Sequence, residues 1–485
     1  MALDPAALHG LAGETVRVLE PVTEASPAAV LITLLTIFGA AVGPAPFVLA
    51  DGAHHGPRIF TVIVGKTARA RKGTSWRVAR GVMRHADASF VAGRVFGGFG
   101  SGEALIEAVG EAEDDAAGGF DDGSHRDASP RPVHDPRALI VEEEFARILR
   151  VAERDGSTLS PVIRQAWDDG ELSVLTRKKP VRARGAHIAV VAHVTEEELL
   201  ARLRGVELAN GFGNRFLFVA VERSKRIPDG HGLDGDEAER LGWEWRKALE
   251  LARTLEGPLK RSREADALWH DWYLALDDDR PGMIGALLAR AEAHVLRLAL
   301  AYALADGEAT IDVPHLRAAL AVWGYAERSA FLIFGDAVGD PVADLILRRL
   351  RERPVEGMSR TQIRDALGRH EREVTVEAAL DLLEGRNLAR CERTPTGGRP
   401  VERWFPTLVG DQSDERRPNS TSVASVALVA GKVKGREAAS AAGAWQAGSP
   451  APGVSSRPLT PTSNHRHNLF GDPQTVGENG LEGLA

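Results

Sequence analysis

The sequence predicts a doubly wound α/β core, then a region of helices, then a small domain of three helices and a hairpin, and last a disordered tail. Three observations predict it. Between residues 46 and 230, short apolar runs rich in β-branched residues alternate with helical patterns, as in a parallel sheet covered on both faces. Polar and charged side chains stand at the ends of those runs, where open α/β sheets bind ligands. From Asp340 to Pro406, three helix-like segments precede two strand-like segments around a Gly-containing turn.

Composition bounds the function. The 485 residues allow two or three domains, and 44% hydrophobic with 26% charged residues is the balance of a globular protein. The net charge of -8 gives no overall basic field, so nucleic-acid binding has to come from local patches. A single cysteine, Cys391, excludes a disulfide framework and a cysteine metal cluster, and fits a reducing cytoplasm. The expected divisions are 1–45, N-terminal helices; 46–230, the sheet core; 231–339, a helical region; 340–408, the small domain; and 409–485, the tail.

In chain order, Pro5 to Leu19 has helical spacing and is stopped by Pro21. Ser26-Pro27 then caps and opens an apolar helix, Ala28 to Val42. At about 15 residues, that helix is shorter than the roughly 20 a bilayer needs, so a buried helix and no membrane contact are expected. Pro46 to Ala50 reads as a short edge strand. Ile59 to Val64 is wholly β-branched or aromatic and ends at Gly65 in a loop of small and basic residues. A phosphate loop needs a small-residue turn, a helix start and a lysine converging on one anion, with a hydroxyl for magnesium. Lys72 is the lysine, Thr74 or Ser75 the hydroxyl, and Trp76 to His85 the following helix. The spacing departs from the standard: Lys72 lies seven residues after Gly65, Arg71 stands where the second glycine belongs, and Gly73 separates Lys72 from Thr74. Gly65-Lys66-Thr67 is a decoy, because its first glycine would fall at Phe60 inside the strand. A plain basic turn is the competing interpretation.

Val91 to Gly102 is glycine-rich, either a ligand loop or a connection, and Ser101 can cap a helix from Glu103 to Val109. Glu111 to Arg137 is acidic and poor in large apolar residues, which predicts a mobile surface loop. Arg137 to Val141 then makes a strand that ends in Glu142, Glu143 and Glu144. Glu142 takes the magnesium position and Glu144 polarises the attacking water. Thr158 to Trp167 is a helix closed by Asp168-Asp169-Gly170. Ala186 to His193 is a further buried strand, with His193 either a sensor of the terminal phosphate or an ordinary strand-end histidine. Thr195 caps the next helix, and Arg215 precedes another strand, either as an arginine finger or as an ion-pair partner.

The set VGKTARARKGTSW, LIVEEEF, RQAWDDGEL, HIAVVAHVT and NGFGNRF, spread over roughly residues 5 to 225, resembles the RecA-like P-loop ATPases of primase-helicase type found in bacterial chromosomes, plasmids, phages and integrated elements. The resemblance implies a P-loop NTPase core that binds ATP and Mg2+. It also implies contact with DNA, single-stranded or duplex, assembly as a homo-oligomer such as a hexamer, work beside other replication proteins, and helicase-like activity in replication or mobile-element maintenance. The phosphate site would be Gly65, Arg71, Lys72, Gly73, Thr74, Ser75 and His193, the metal would lie on Thr74 and Glu142, and Glu142, Glu144 and Arg215 would be catalytic. Glu142 stands where relatives of this class often have Asp. In such oligomers loops between core strands line a DNA channel, which assigns DNA phosphates to Arg177, Lys178, Lys179, Arg182 and Arg184; the plain alternative is a solvated charged face.

Asp234 to Asp336 is helical, with Trp243, Trp245, Trp269 and Trp272 read as core. Ser359-Arg-Thr-Gln362 is a capping box opening the second helix of the small domain, and the run GMSRTQIRDALGRH followed by TPTGGRPVERWF resembles a winged-helix domain, which implies DNA contact by its third helix and wing. The third helix carries Glu377, Asp381 and Glu384, whereas Arg393 and Arg399 lie on the wing. DNA binding by the wing, or docking to protein, are the two readings. A non-enzymatic DNA-binding regulator with a degenerate P-loop is the alternative to the ATPase.

Overall fold

A computed structural model describes residues 1–67, 70–98, 100–110, 135–175, 180–203, 210–228, 230, 232–276, 282–335, 340–368, 371–386, 388–394 and 401–407. The expected mobile loop (all but its last three residues), Arg177, Lys178, Lys179, Arg399 and the tail from 408 onward lie outside the described residues.

The chain begins with α1 (Gly10–Leu19) and α2 (Pro27–Val42), then β1 (Pro46–Ala50) and β2 (Ala53–His55), before β3 (Phe60–Gly65), α3 (Lys72–Ala86) and α4 (Ala88–Gly93). It continues through β4 (Val95–Phe96), α5 (Gly102–Val109), β5 (Arg137–Glu142), α6 (Phe145–Ala152), α7 (Leu159–Asp168), β6 (Leu172–Val174) and β7 (Val181–Ala183) to β8 (His187–Thr195), α8 (Glu196–Arg202) and β9 (Leu217–Ala220). The central sheet is parallel, in the order β4-β5-β8-β3-β9. From β3 the chain crosses to the far edge at β4, works back through β5 and β8, then passes β3 to add β9 on its other side. The connections leaving β3 and β8 therefore diverge, and a crevice opens between their carboxyl ends.

Strand alternation divides the core. Phe60, Val62, Val64, Ile140 and Val190 pack with α5, α6, α7 and α8, while Ile63, Leu139, Val191 and Val219 pack with α2, α3 and later helices. Both faces are covered, which is why these strands read as unbroken apolar runs. Helix α2 is buried from Ala28 through Val42, under α1, α3 and the sheet. Its Thr36 hydroxyl lies 3.2 Å from that of Thr61 and ties it to β3. Among the described residues no helix is long and apolar enough to cross a membrane.

Several expectations change. The first helix is a 3-10 turn (Pro5–Ala7) followed by α1, whose first residue, Gly10, takes φ 54. Ser26 precedes α2 without a side-chain cap bond. β1 is not an edge of the central sheet; it pairs with β2 and with β10 (Gly257–Pro258). α3 starts at Lys72, four residues before the expected Trp76. The glycine-rich run contributes β4, which stands at one edge of the central sheet.

The helical region comprises α9 (Gly235–Thr254), then β10 with β11 (Lys260–Arg261), α10 (Arg263–Tyr273), α11 (Gly282–Leu288), α12 (Ala291–Ala305), β12 (Thr310–Ile311) and α13 (Val313–Phe334). Trp245, Trp269 and Trp272 are buried, but Trp243 is 55% exposed. Residues 340–407 have a core of their own, built by α14 (Pro341–Arg351), β13 (Met358–Ser359), α15 (Arg360–Ala366), α16 (Glu373–Gly385), β14 (Ala389–Thr394) and β15 (Val401–Pro406). Ser359 and Gln362 form the expected capping box of α15, and β14 pairs with β15 antiparallel. β13, unexpected from the sequence, adds a third strand beside β15.

Candidate functional site

The crevice at the end of β3 gathers the loop residues. Gly65 closes β3 in register with Thr195 of β8. A Cβ on Gly65 would stand 2.4 Å from the Ala70 Cβ and 3.4 Å from Lys72 Nζ, so the loop folds back onto a position only glycine fits. Arg71 adopts φ 58, the left-handed conformation a glycine takes most easily, at the place where a standard phosphate loop has its second glycine. Its guanidinium pairs with Glu24 at 2.6 Å. Glu24 also accepts from Arg223 and from the Ile227 N–H, and these bonds, Arg223 first, hold its carboxyl down at about 2.

Lys72 is the first residue of α3, whose opening turn has no acidic residue, and the first N–H groups of a helix lack partners within it. Lys72 Nζ donates to the Thr67 carbonyl at 3.3 Å, arching over the loop. Burial lowers the Lys72 pKa, opposed by the charge of Glu198. Glu198 completes a capping box with Thr195 at the start of α8, on the other lip of the crevice. His193 is 3% exposed, its Nε2 has no hydrogen-bond partner, and burial, then the charge of Lys72, brings its pKa down to about 4. A neutral imidazole and a lysine thus face one another near Gly65.

The hydroxyls are placed otherwise than expected. Ser75 is buried and donates to the Lys72 carbonyl at 2.6 Å. Thr74 accepts from Arg77 at 3.2 Å and lines a groove on the flank of α3. Neither is presented beside Lys72, because Gly73 occupies the position that follows it. Glu142 is buried and receives Arg147 at 2.8 and 3.3 Å. Glu144 is exposed at the start of α6. Glu143, exposed and given no role by the sequence, lies in the bend just beyond β5. The loop residues fit the phosphates of ATP: a glycine cradle, a lysine and a helix start converge there. The donor set does not fit magnesium, with both hydroxyls engaged elsewhere and Glu142 held by Arg147.

Arg215 forms the ion pair that is one of its two readings, and pins the turn before β9. It is 5% exposed, donates to Asp168 at 3.1 and 2.6 Å and to the Gly211 carbonyl, and lies before β9, at the end of the sheet away from Lys72. Its neighbours there are Arg58, Arg290 and Arg297 around Trp167, with Arg297 stacked 3.6 Å from the ring centroid. Of the basic run, Arg182 and Arg184 are described, both exposed. Arg393 pairs with Glu402 at 3.2 Å, and Arg360 takes the other oxygen of Glu402 at 2.8 Å.

His9, Asp306 and His315 also lie together. His315 Nδ1 accepts the Asp312 N–H at 3.0 Å, so the neutral ring carries its proton on Nε2, toward Asp306. That trio ties the N-terminal segment to the turn after α12 and to α13. No protein-family model matches the chain, and no curated protein matches it.

Proposed function

We propose that the chain is a nucleotide-binding protein of RecA-like P-loop type, which uses ATP while acting on DNA, with a winged helix at residues 340–407. The observation that carries this reading is the convergence of Gly65, the left-handed Arg71, Lys72 and the start of α3 on the crevice between β3 and β8. Strand order adds support. β8 separates β3 from β5, so the strand ends that lead to the lysine and to the carboxylates lie two strand spacings apart, about 9.6 Å, with room for a phosphate and a water between them. Glu143, or Glu144 as read from the sequence, polarises that water, and the neutral His193 reads the terminal phosphate.

For DNA, the exposed Arg182 and Arg184 and the hairpin are the proposed contacts. The acidic face of α16 is unsuited to phosphates, and Arg393 must exchange Glu402 for DNA. Homo-oligomers, replication partners and helicase activity follow only from the resemblance.

The test is ATP binding and turnover, with and without single-stranded DNA, for the wild type beside Lys72→Ala and the double variant Glu143→Gln/Glu144→Gln. ATP binding lost in Lys72→Ala, with DNA-stimulated turnover lost in both variants, is the expected result. Absence of ATP binding by the wild type overturns the reading. The engaged hydroxyls of Thr74 and Ser75 favour one second reading, a DNA-binding regulator that binds nucleotide without hydrolysing it, and its signature is binding without turnover.

A further inference from the structure

A groove of ≈ 580 Å³ runs along the flank of α3 from the phosphate-loop end. Arg71 and Thr74 stand at its near end, Val78 and Gly81 in its middle and His85 at its far end, so one stripe of α3 forms a wall about 20 Å long. Facing it are Leu19 at the end of α1, Val22 just beyond it, and Ile227 and Leu233 from the segment after β9. Gly230 and Gly232 present bare backbone to it. Apolar Val78 and Ile227 face one another across it, and Arg71, Thr74, Arg77 and His85 set polar groups along its length, a mixture that suits an amphipathic small molecule.

We propose that this groove takes the nucleoside of the nucleotide whose phosphates lie on Lys72; the proposal rests on the phosphate-loop reading above. Continuity argues for that occupant. Arg71 belongs to the phosphate loop and to the groove, and Thr74 follows two residues after Lys72 with its hydroxyl on the groove side. From Thr74 to Gly81 the helix advances about 10 Å, the length of a nucleoside, between the apolar Val78 and Ile227 walls. A sugar beside Thr74 and a base between Val78 and Ile227 leave the phosphates directed at the start of α3. Glu24 braces this arrangement by holding Arg71 in place from the opposite wall. No local pattern in the chain points to the groove, because its walls come from three distant segments.

Gly81 supplies a clean test. A Cβ there meets nothing within 4 Å, so a larger side chain enters the groove without disturbing the packing of α3. Gly230→Leu narrows the opposite wall, its Cβ meeting Ile227 at an ordinary 3.5 Å. ATP and inorganic tripolyphosphate are titrated by calorimetry into wild type, Gly81→Phe and Gly230→Leu, each checked for an unchanged melt. The expected result is that the wild type prefers ATP by at least about tenfold, and that both variants lose this preference while binding tripolyphosphate within about twofold of wild type. Unchanged ATP binding in both variants, with wild-type binding intact, overturns the groove assignment alone. Failure of the wild type to bind either compound overturns the phosphate-loop reading and the groove with it.

Discussion

Replacing Arg215 by methionine separates a structural role from a catalytic one. The substitution keeps an unbranched stem against Trp167 and removes the guanidinium, which lies 5.8 Å from that ring. It deletes the two bonds to Asp168 and the one to the Gly211 carbonyl. The side chain of Asp168 is 39% exposed and keeps Arg290 at 3.4 Å, so its carboxylate regains water and an alternative partner. The cost is therefore the charge-assisted bonds and the orphaned Gly211 carbonyl, about 2–4 kcal/mol. With residues 1–335 as the cooperative unit, the unfolding entropy is about 0.7 kcal/mol per degree, and Tm falls by about 3–6 °C. Calorimetric melts and ATP titrations on one preparation of Arg215→Met read both effects. The expected outcome is the drop in Tm with ATP affinity unchanged. An unchanged Tm with ATP turnover abolished would refute the pin and restore the finger.

Gly65→Ala puts a methyl 2.4 Å from the Ala70 Cβ, so the loop must move; tripolyphosphate affinity should fall more than about tenfold for a stability loss of only about 1–3 kcal/mol, and unaltered affinity by calorimetry would remove Gly65 from the site. At Arg71, with φ 58, glycine should melt within about 2 °C of wild type, whereas valine should lose about 1–2 kcal/mol more than glycine; equal melts for the two variants would count against the left-handed loop. Acid should destabilise the fold early. Burial is the first cause holding His187 and His294 down at about 3 and His193 at about 4. The unfolded chain binds these protons below pH 6.5 while the folded one refuses them, so stability is full above that pH and falls as pH drops toward 4, by up to about 1.4 kcal/mol per pH unit for each ring. A Tm that stays level from pH 7 to pH 5 would contradict these burials.

The parts of the fold legible in the sequence are those with one physical cause. β3, β5 and β8 are covered on both faces and must be apolar throughout, and the capping residues Thr195 and Ser359 act within one turn of chain. β4 escaped because two residues in a glycine-rich run carry no period. Trp243 was misjudged although the information was present: residues two apart on a helix point to different sides, so Trp243 and Trp245 cannot share one core face. Lys72 was legible from the strand and loop before it. Its hydroxyl partners were not, because the spacing that puts Ser75 inside and Thr74 on the flank is set by where α3 begins, four residues earlier than its apolar pattern suggests. Arg215 looked like a site residue because the sequence shows adjacency to a strand and not which end of the sheet that adjacency falls on. Glu24 carried no local signal, since both arginines that hold it come from elsewhere in the chain.

That last carboxylate has a consequence for synthesis of the protein. Its bonds to Arg223 and Ile227 span 199 and 203 residues of sequence. A chain emerging from the ribosome possesses the glycine, the lysine and the helix of its loop long before the segment after β9 arrives to clamp Glu24, and Glu24 in turn to steady Arg71. Contacts so distant form late in folding. The loop therefore sets only when the last strand of the sheet is laid down, and a half-made chain offers nucleotide an unfinished seat.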